Sequence, residues 1–216
     1  MGTLLEDYYR SRALEYDRFY QNPVRQDDLA RLRAWLTDHV RGRTILEVAA
    51  GTGYWTEVAA PVCKAIVATD PVSETLAVAA TRQLGSNVEL LTADAYALPH
   101  FATTFDTGMA HFWWSHVEKQ RQQAFLSEFM RCLEPDALVL IIDQIYVEGI
   151  CPVVSRHDEW DNRYELRTLQ NGATYEIVKN YPTDEELKAS FAQFGDDIQI
   201  MRLHHYWALS ARNRAR

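Results

Sequence analysis

Residues 47–56 read EVAAGTGYWT: an acid closes an apolar run, and two glycines, Gly51 and Gly53, follow one residue apart. Such a pair between a strand and a helix marks a sharp backbone turn that can approach a ligand, and a β-carbon at either glycine would obstruct one of those tasks. The dinucleotide fingerprint is left unfinished, because Thr56 stands where its third glycine would be. No Lys-Ser or Lys-Thr follows to make a phosphate-binding loop. The turn is therefore expected to serve a ligand that depends less on pyrophosphate contacts, although a purely structural turn explains an isolated G-x-G equally well.

Outward from this turn, residues 43 to 143 alternate apolar runs with segments of helical periodicity. The runs are TILEVAA, AIVATD, VELLTAD, FDTGMAHF and ALVLIID. Between them GYWTEVAAPVCKA and VSETLAVAATRQLGS read as helices, and EKQRQQAFLSEFMRCLEP carries Phe125, Phe129 and Leu133 at four-residue spacing before Pro135. The alternation predicts an α/β fold, a doubly wound and mostly parallel sheet. Ligands of such sheets sit outside the carboxyl ends of the strands, where this chain places Glu47, Asp70 and Asp94. A carboxylate after the second strand can accept both hydroxyls of a ribose, and one after the third can accept an exocyclic amine. Each aspartate alone reads as a solvated loop residue or helix cap; acids at successive strand ends are harder to dismiss.

Composition narrows the partners. The chain has 216 residues, 47% of them hydrophobic, enough for one substantial domain. A formal charge of −8 disfavours nucleic acid, which is usually gripped by a basic stripe. No basic segment followed by an apolar one opens the chain, and no run approaches the roughly 20 apolar residues of a membrane span, so a cytoplasmic protein without membrane contact is expected. Cys63, Cys132 and Cys151 lie far apart, outside any C-x-x-C pattern, and read as buried thiols. No metal site is expected.

Taken together, ILEVAAGTG, VATDPV, TADAYALP, FDTGMAHFWWSHV and RCLEPDALVLIID resemble, in order and spacing, the motifs of the class I S-adenosylmethionine-dependent methyltransferases with a Rossmann-like sheet, of the small-molecule type. The resemblance implies a seven-stranded sheet and S-adenosylmethionine as cofactor, leaving S-adenosylhomocysteine as product. It further implies that Glu47 orients the turn or the methionine part, that Gly51 and Gly53 admit the cofactor against the backbone, and that Asp70, followed by Pro71, holds the ribose. Asp94 and the Ala95 amide would address adenine; Ala110 to Trp113 would border the sulfonium and substrate. Two positions depart from the pattern: Ala49 replaces the first glycine of the family's first motif, and Asp136 a common glycine of its fifth.

Methyl transfer is an in-line displacement that needs no covalent enzyme nucleophile, although a protonated acceptor can need a base. His111 is the first candidate and His116 the second; either can instead hydrogen-bond only cofactor or backbone. Phe112, Trp113 and Trp114 can attract a cationic sulfonium and stack a flat acceptor, or form core.

Four segments are expected: a helical amino-terminal lid over 1–40, the cofactor-binding core over 41–143, a substrate-shaping insert over 144–182, and a final helix and strands over 183–216. In the lid, Tyr9 and Tyr16 are candidates for reaching the cofactor, as a helix ahead of the first motif often closes over it in related enzymes. In the insert, Asn171-Gly172 between alternating arms predicts a hairpin. Arg156, His157 and Arg163 can bind an acidic acceptor there, or belong to a solvated charged face. Adjacent His204 and His205, placed on a strand, would face opposite ways and make poor joint metal ligands. The functional expectation is methyl transfer to an oxygen or nitrogen of a small aromatic or heteroaromatic metabolite by a monomer or homodimer. An inactive binding subunit of the same fold and an NAD-dependent oxidoreductase are the alternatives.

Overall fold

Strand β1, Thr44–Val48, shows how the sheet is built: Ile45 and Leu46 point to opposite faces, and both are fully buried. The computed structural model describes residues 4–214. Around β1 lie β2 (Ala65–Asp70), β3 (Val88–Thr92), β4 (Phe105–His111), β5 (Leu133–Gln144), β9 (Gly195–Arg202) and β10 (Tyr206–Asn213), joined in the order β3-β2-β1-β4-β5-β10-β9. The first five are parallel; β10 is antiparallel to both β5 and β9. This is the mostly parallel sheet expected from the alternation, with the seven strands that the resemblance implies. Strand order reverses between β1 and β4, and at such a reversal the carboxyl ends part to leave a crevice.

Each sheet face carries its own apolar layer. On one, α2 (Gln26–Val40) buries Leu29, Leu32, Leu36 and Val40 at helical spacing against Ile45, Ile66, Leu140 and Ile142. On the other, α5 (Gln122–Arg131) and α6 (Asp184–Phe191) bring Phe125, Phe129, Leu187 and Phe191 onto Leu46, Val139, Ile141 and Trp207. Thr183 and Glu186 close the capping box at the start of α6.

Several boundaries differ from the sequence reading. The chain after β2 forms only α4, Ser73–Ala79, because Arg82 turns away to donate to the Thr52 carbonyl and to pair with Asp17 and Glu57. α5 ends at Arg131, before Pro135, which instead lies in β5 beside a register shift; Asp136 there has φ +62°, a conformation that favours the glycine it replaces. His204 and His205 lie in the turn between β9 and β10, where Asp28 accepts from both the main chain and Nδ1 of His205.

The amino-terminal segment forms α1 (Leu4–Arg12), a 3-10 stretch over Ala13–Gln21 and, past Asn22, α2. The insert forms a separate antiparallel sheet of β6 (Val154–His157), β7 (Arg163–Thr168) and β8 (Thr174–Val178). The expected hairpin is β7–β8, with Gly172 at φ +84° in its loop. β6 was not anticipated, because the mixed charges of RHDEWDNR mask its pattern. Among the described residues no helix is long and apolar enough to cross a membrane, and no group of three or more His, Cys, Asp and Glu could hold a metal.

Candidate functional site

The glycine turn is rigid because its polar groups bind the neighbouring strand. Ala50 N–H donates to the Thr69 carbonyl at 2.9 Å and Gly51 N–H to Oδ2 of Asp70 at 2.9 Å. Ala49, Gly51 and Gly53 all have positive φ, +57°, +58° and +75°. Ala49 therefore keeps the backbone shape of the glycine it replaces, at a steric cost of about 1 kcal/mol. Gly53 is required by packing as well, since a β-carbon there would stand 2.8 Å from Cβ of Ala79 on α4.

Two acids flank this turn. Asp70 accepts from Gly51 and, through Oδ1, from the Val72 amide and the Thr75 hydroxyl. Burial still pushes its pKa above the ordinary carboxylate value. Glu47, 1% exposed, accepts a hydroxyl from Thr56 at 2.6 Å. Its burial outweighs that bond, with Asp70 adding repulsion, and its pKa rises to about 8.

Both acids line a cavity of about 470 Å³, a size typical of small-molecule sites. The same wall carries Ala49, Gly51, Pro71, Asp94 and Ala95. From the end of β4 come His111, Phe112 and Trp113, with Phe112 held at φ +60°. Tyr9, Tyr16 and His116 close another side, and Arg156 reaches in from β6. Five sequence candidates stand off this wall. Gly53 packs on α4, Ala110 is buried in β4, and Trp114 sits against Phe125 and Phe191. His157 is half exposed and bonded to Asp161, while Arg163 offers its main chain to Asn180 and Lys179.

His111 is 5% exposed, and neither ring nitrogen has a partner. Burial holds its pKa down to about 3, so the ring stays neutral. Nε1 of Trp113 is likewise buried without a partner. Orphaned polar atoms on a cavity wall are what a polar ligand would satisfy. His116 differs: Nδ1 lies 2.7 Å from the Val178 carbonyl and Nε2 2.8 Å from the Tyr9 hydroxyl.

Sequence reasoning missed several wall residues. Tyr54 and Trp55, immediately after the glycine turn, were legible from position alone; Tyr20 stacks on Tyr54 at 3.7 Å from a segment whose tyrosines were considered only in part. Tyr96 and Arg121 stack at 3.7 Å, and Arg156 lies 3.5 Å over Tyr164. Tyr96 and Arg121 are distant in sequence, and Arg156 and Tyr164 meet only because β6 pairs with β7, so no local pattern announces either contact.

A family model described as a methyltransferase domain matches residues 45–136. The chain is 28% identical to a solved structure described as the DhpI-SAH complex, with TM-score 0.79, over 99% of this chain and 97% of that one. It is 26% identical to the DhpI-SAM-HEP complex, with TM-score 0.79, over 97% and 96%. The 1,6-didemethyltoxoflavin-N1-methyltransferase of Burkholderia thailandensis, solved with 1,6-didemethyltoxoflavin and S-adenosylhomocysteine, shares the fold at 18% identity and TM-score 0.68, over 98% and 88%. Comparison with curated proteins returns no match.

Proposed function

We propose that the chain is a class I S-adenosylmethionine-dependent methyltransferase, as the methyltransferase-domain match and the likeness to structures holding SAH and SAM support, and that it moves a methyl group to an oxygen or nitrogen of a small aromatic or heteroaromatic metabolite. The observation that carries this reading is a single cavity lined by the glycine turn, by Glu47 and Asp70, and by an aromatic wall with an unpartnered imidazole. S-adenosylmethionine, when bound, supplies an electrophilic methyl carbon on a sulfonium.

The residues present suit that group. Asp70 still has one lone pair, on Oδ2, to offer a ribose hydroxyl after its three protein bonds. Glu47, with one oxygen on Thr56, lines the cavity beside the turn, where a bound ammonium would draw off the proton that burial leaves on it near neutral pH. Asp94 and the Ala95 amide, on the same wall, would meet the adenine edge. Phe112, Trp113 and the tyrosines exclude water and favour a sulfonium and a flat acceptor. The protein's main contribution is to hold nucleophile and methyl carbon in line at near-attack distance. His111, neutral and unpartnered, orients the acceptor by a hydrogen bond; its depressed pKa makes it a poor proton acceptor. The insert, through Arg156 and Tyr164, shapes the acceptor end.

The test is incubation with S-adenosylmethionine carrying a labelled methyl and a panel of phenols, hydroxylated heteroaromatics and ring N–H compounds. Label appearing in a panel member, and lost in His111→Phe, is the expected result. Label found only in aliphatic controls would overturn the acceptor assignment.

A further inference from the structure

His116 follows β4 by one short turn and is 7% exposed, and both its ring nitrogens are engaged. The Val178 carbonyl at 2.7 Å can only accept, so Nδ1 carries the proton. Nε2 of the neutral ring must then accept, and the Tyr9 hydroxyl at 2.8 Å donates to it. A backbone carbonyl of the insert thus dictates the direction of a bond made by the lid helix.

The surroundings keep the ring neutral. Lys179, at the end of β8, is 2% exposed and bonded to Ser115 and Asp143. Arg167 on β7 pairs with Glu165, and Arg12 on α1 donates to Tyr8 and stacks on Tyr16. Burial first, then these three cations, oppose any charge on His116.

We propose that His116 is a positioning residue, not the base of the reaction: it ties α1 to the insert and fixes Tyr9 with its hydroxyl proton turned away from the cavity. The Tyr9 oxygen then offers only lone pairs, so an acceptor that touches it does so through an O–H or N–H. This rests on the methyltransferase reading of the cavity.

The experiment is the ¹⁵N spectrum of histidine-labelled protein between about pH 5.5 and pH 8.5, with His116→Asn to assign the signal. Titration with S-adenosylhomocysteine of Tyr9→Phe, His116→Asn and His116→Gln accompanies it. His116 is expected to remain a neutral Nδ1–H ring throughout, with Tyr9→Phe shifting the Nε2 resonance. Tyr9→Phe and His116→Asn, which lack the lid contact, should each weaken binding about three- to tenfold, whereas His116→Gln, which can still accept from Tyr9, should stay within about twofold. A ring that titrates near neutral pH, an Nε2–H tautomer, or rescue by Asn but not Gln would overturn the proposal. Absence of S-adenosylhomocysteine binding by the unaltered protein would instead overturn the cofactor reading, while the spectrum would still decide the tautomer.

Discussion

The two halves of the cavity wall are held in different ways. On the core side, the turn after β1 is fixed by neighbours close in sequence and by the adjacent strand: Ala50 on Thr69, Gly51 on Asp70, Thr56 on Glu47. On the insert side, β7 and β8 are anchored by buried polar groups from distant segments. Lys179 lies 3.3 Å from Asp143 and 2.6 Å from the Ser115 hydroxyl, which itself donates to Asp143. Asn180 binds the Val117 carbonyl and Asn162, and Glu165 accepts from Tyr181 and Arg167. The core half is set by a short motif and the insert half by long-range charge pairs. The acceptor end can therefore be rebuilt without disturbing the cofactor end, but only if each buried pair is kept whole.

That contrast can be broken most severely at Lys179. Removing one member of a buried pair leaves the other charge uncompensated, so Lys179→Met should cost about 3–5 kcal/mol in denaturant unfolding. A double Lys179→Met, Asp143→Asn variant should recover part of that loss.

On the core side the corresponding strain is proton-linked. With its pKa raised to about 8 by burial, Glu47 holds its proton in the folded protein near neutral pH. Its contribution to stability is complete below the ordinary carboxylate value near pH 4.5 and is lost as pH rises through about 8. Asp70, also raised, acts in the same direction. Glu47→Gln is expected to flatten this loss, on the order of 2–4 kcal/mol at alkaline pH, in melts across the pH range.

Ala49 offers a smaller test in the opposite direction. Ala49→Gly should relieve the strain of a β-carbon at φ +57° and raise stability by about 0.5–1 kcal/mol. The smallest effect is expected at the rim: His157→Ala removes an exposed hydrogen bond to Asp161, and should change stability by less than about 0.5 kcal/mol with cofactor binding unaltered.

The same division explains what could be read in advance. The parallel strands, the glycine turn and the acids at strand ends were legible because each is encoded within about ten neighbouring residues by periodicity, glycine and charge. The tyrosine wall was legible only as a choice, since Tyr9 and Tyr16 on an amphipathic helix face either core or ligand with the same pattern. β6 was hidden because an edge strand with polar faces lacks apolar alternation. The Lys179–Asp143 anchor was invisible: a lysine after a strand reads as solvated unless the fold brings a carboxylate to it, and 36 residues separate the two. Trp114, read with its neighbours as pocket wall or core, opens the 3-10 turn after β4 and packs beneath α5 and α6 against Phe125 and Phe191.

The most direct test of the central claim is calorimetric titration of the protein and of Asp70→Asn with S-adenosylhomocysteine, with NAD run in parallel. Asparagine keeps Oδ1 for Val72 and Thr75, loses the charge that would hold the ribose, and sets an NH2 in place of Oδ2 against the Gly51 N–H, so the glycine turn loosens with it. Binding of S-adenosylhomocysteine and not NAD, weakened about 30-fold in Asp70→Asn without loss of fold, is the predicted result. Equal affinity in the two proteins, or binding of NAD alone, would contradict it.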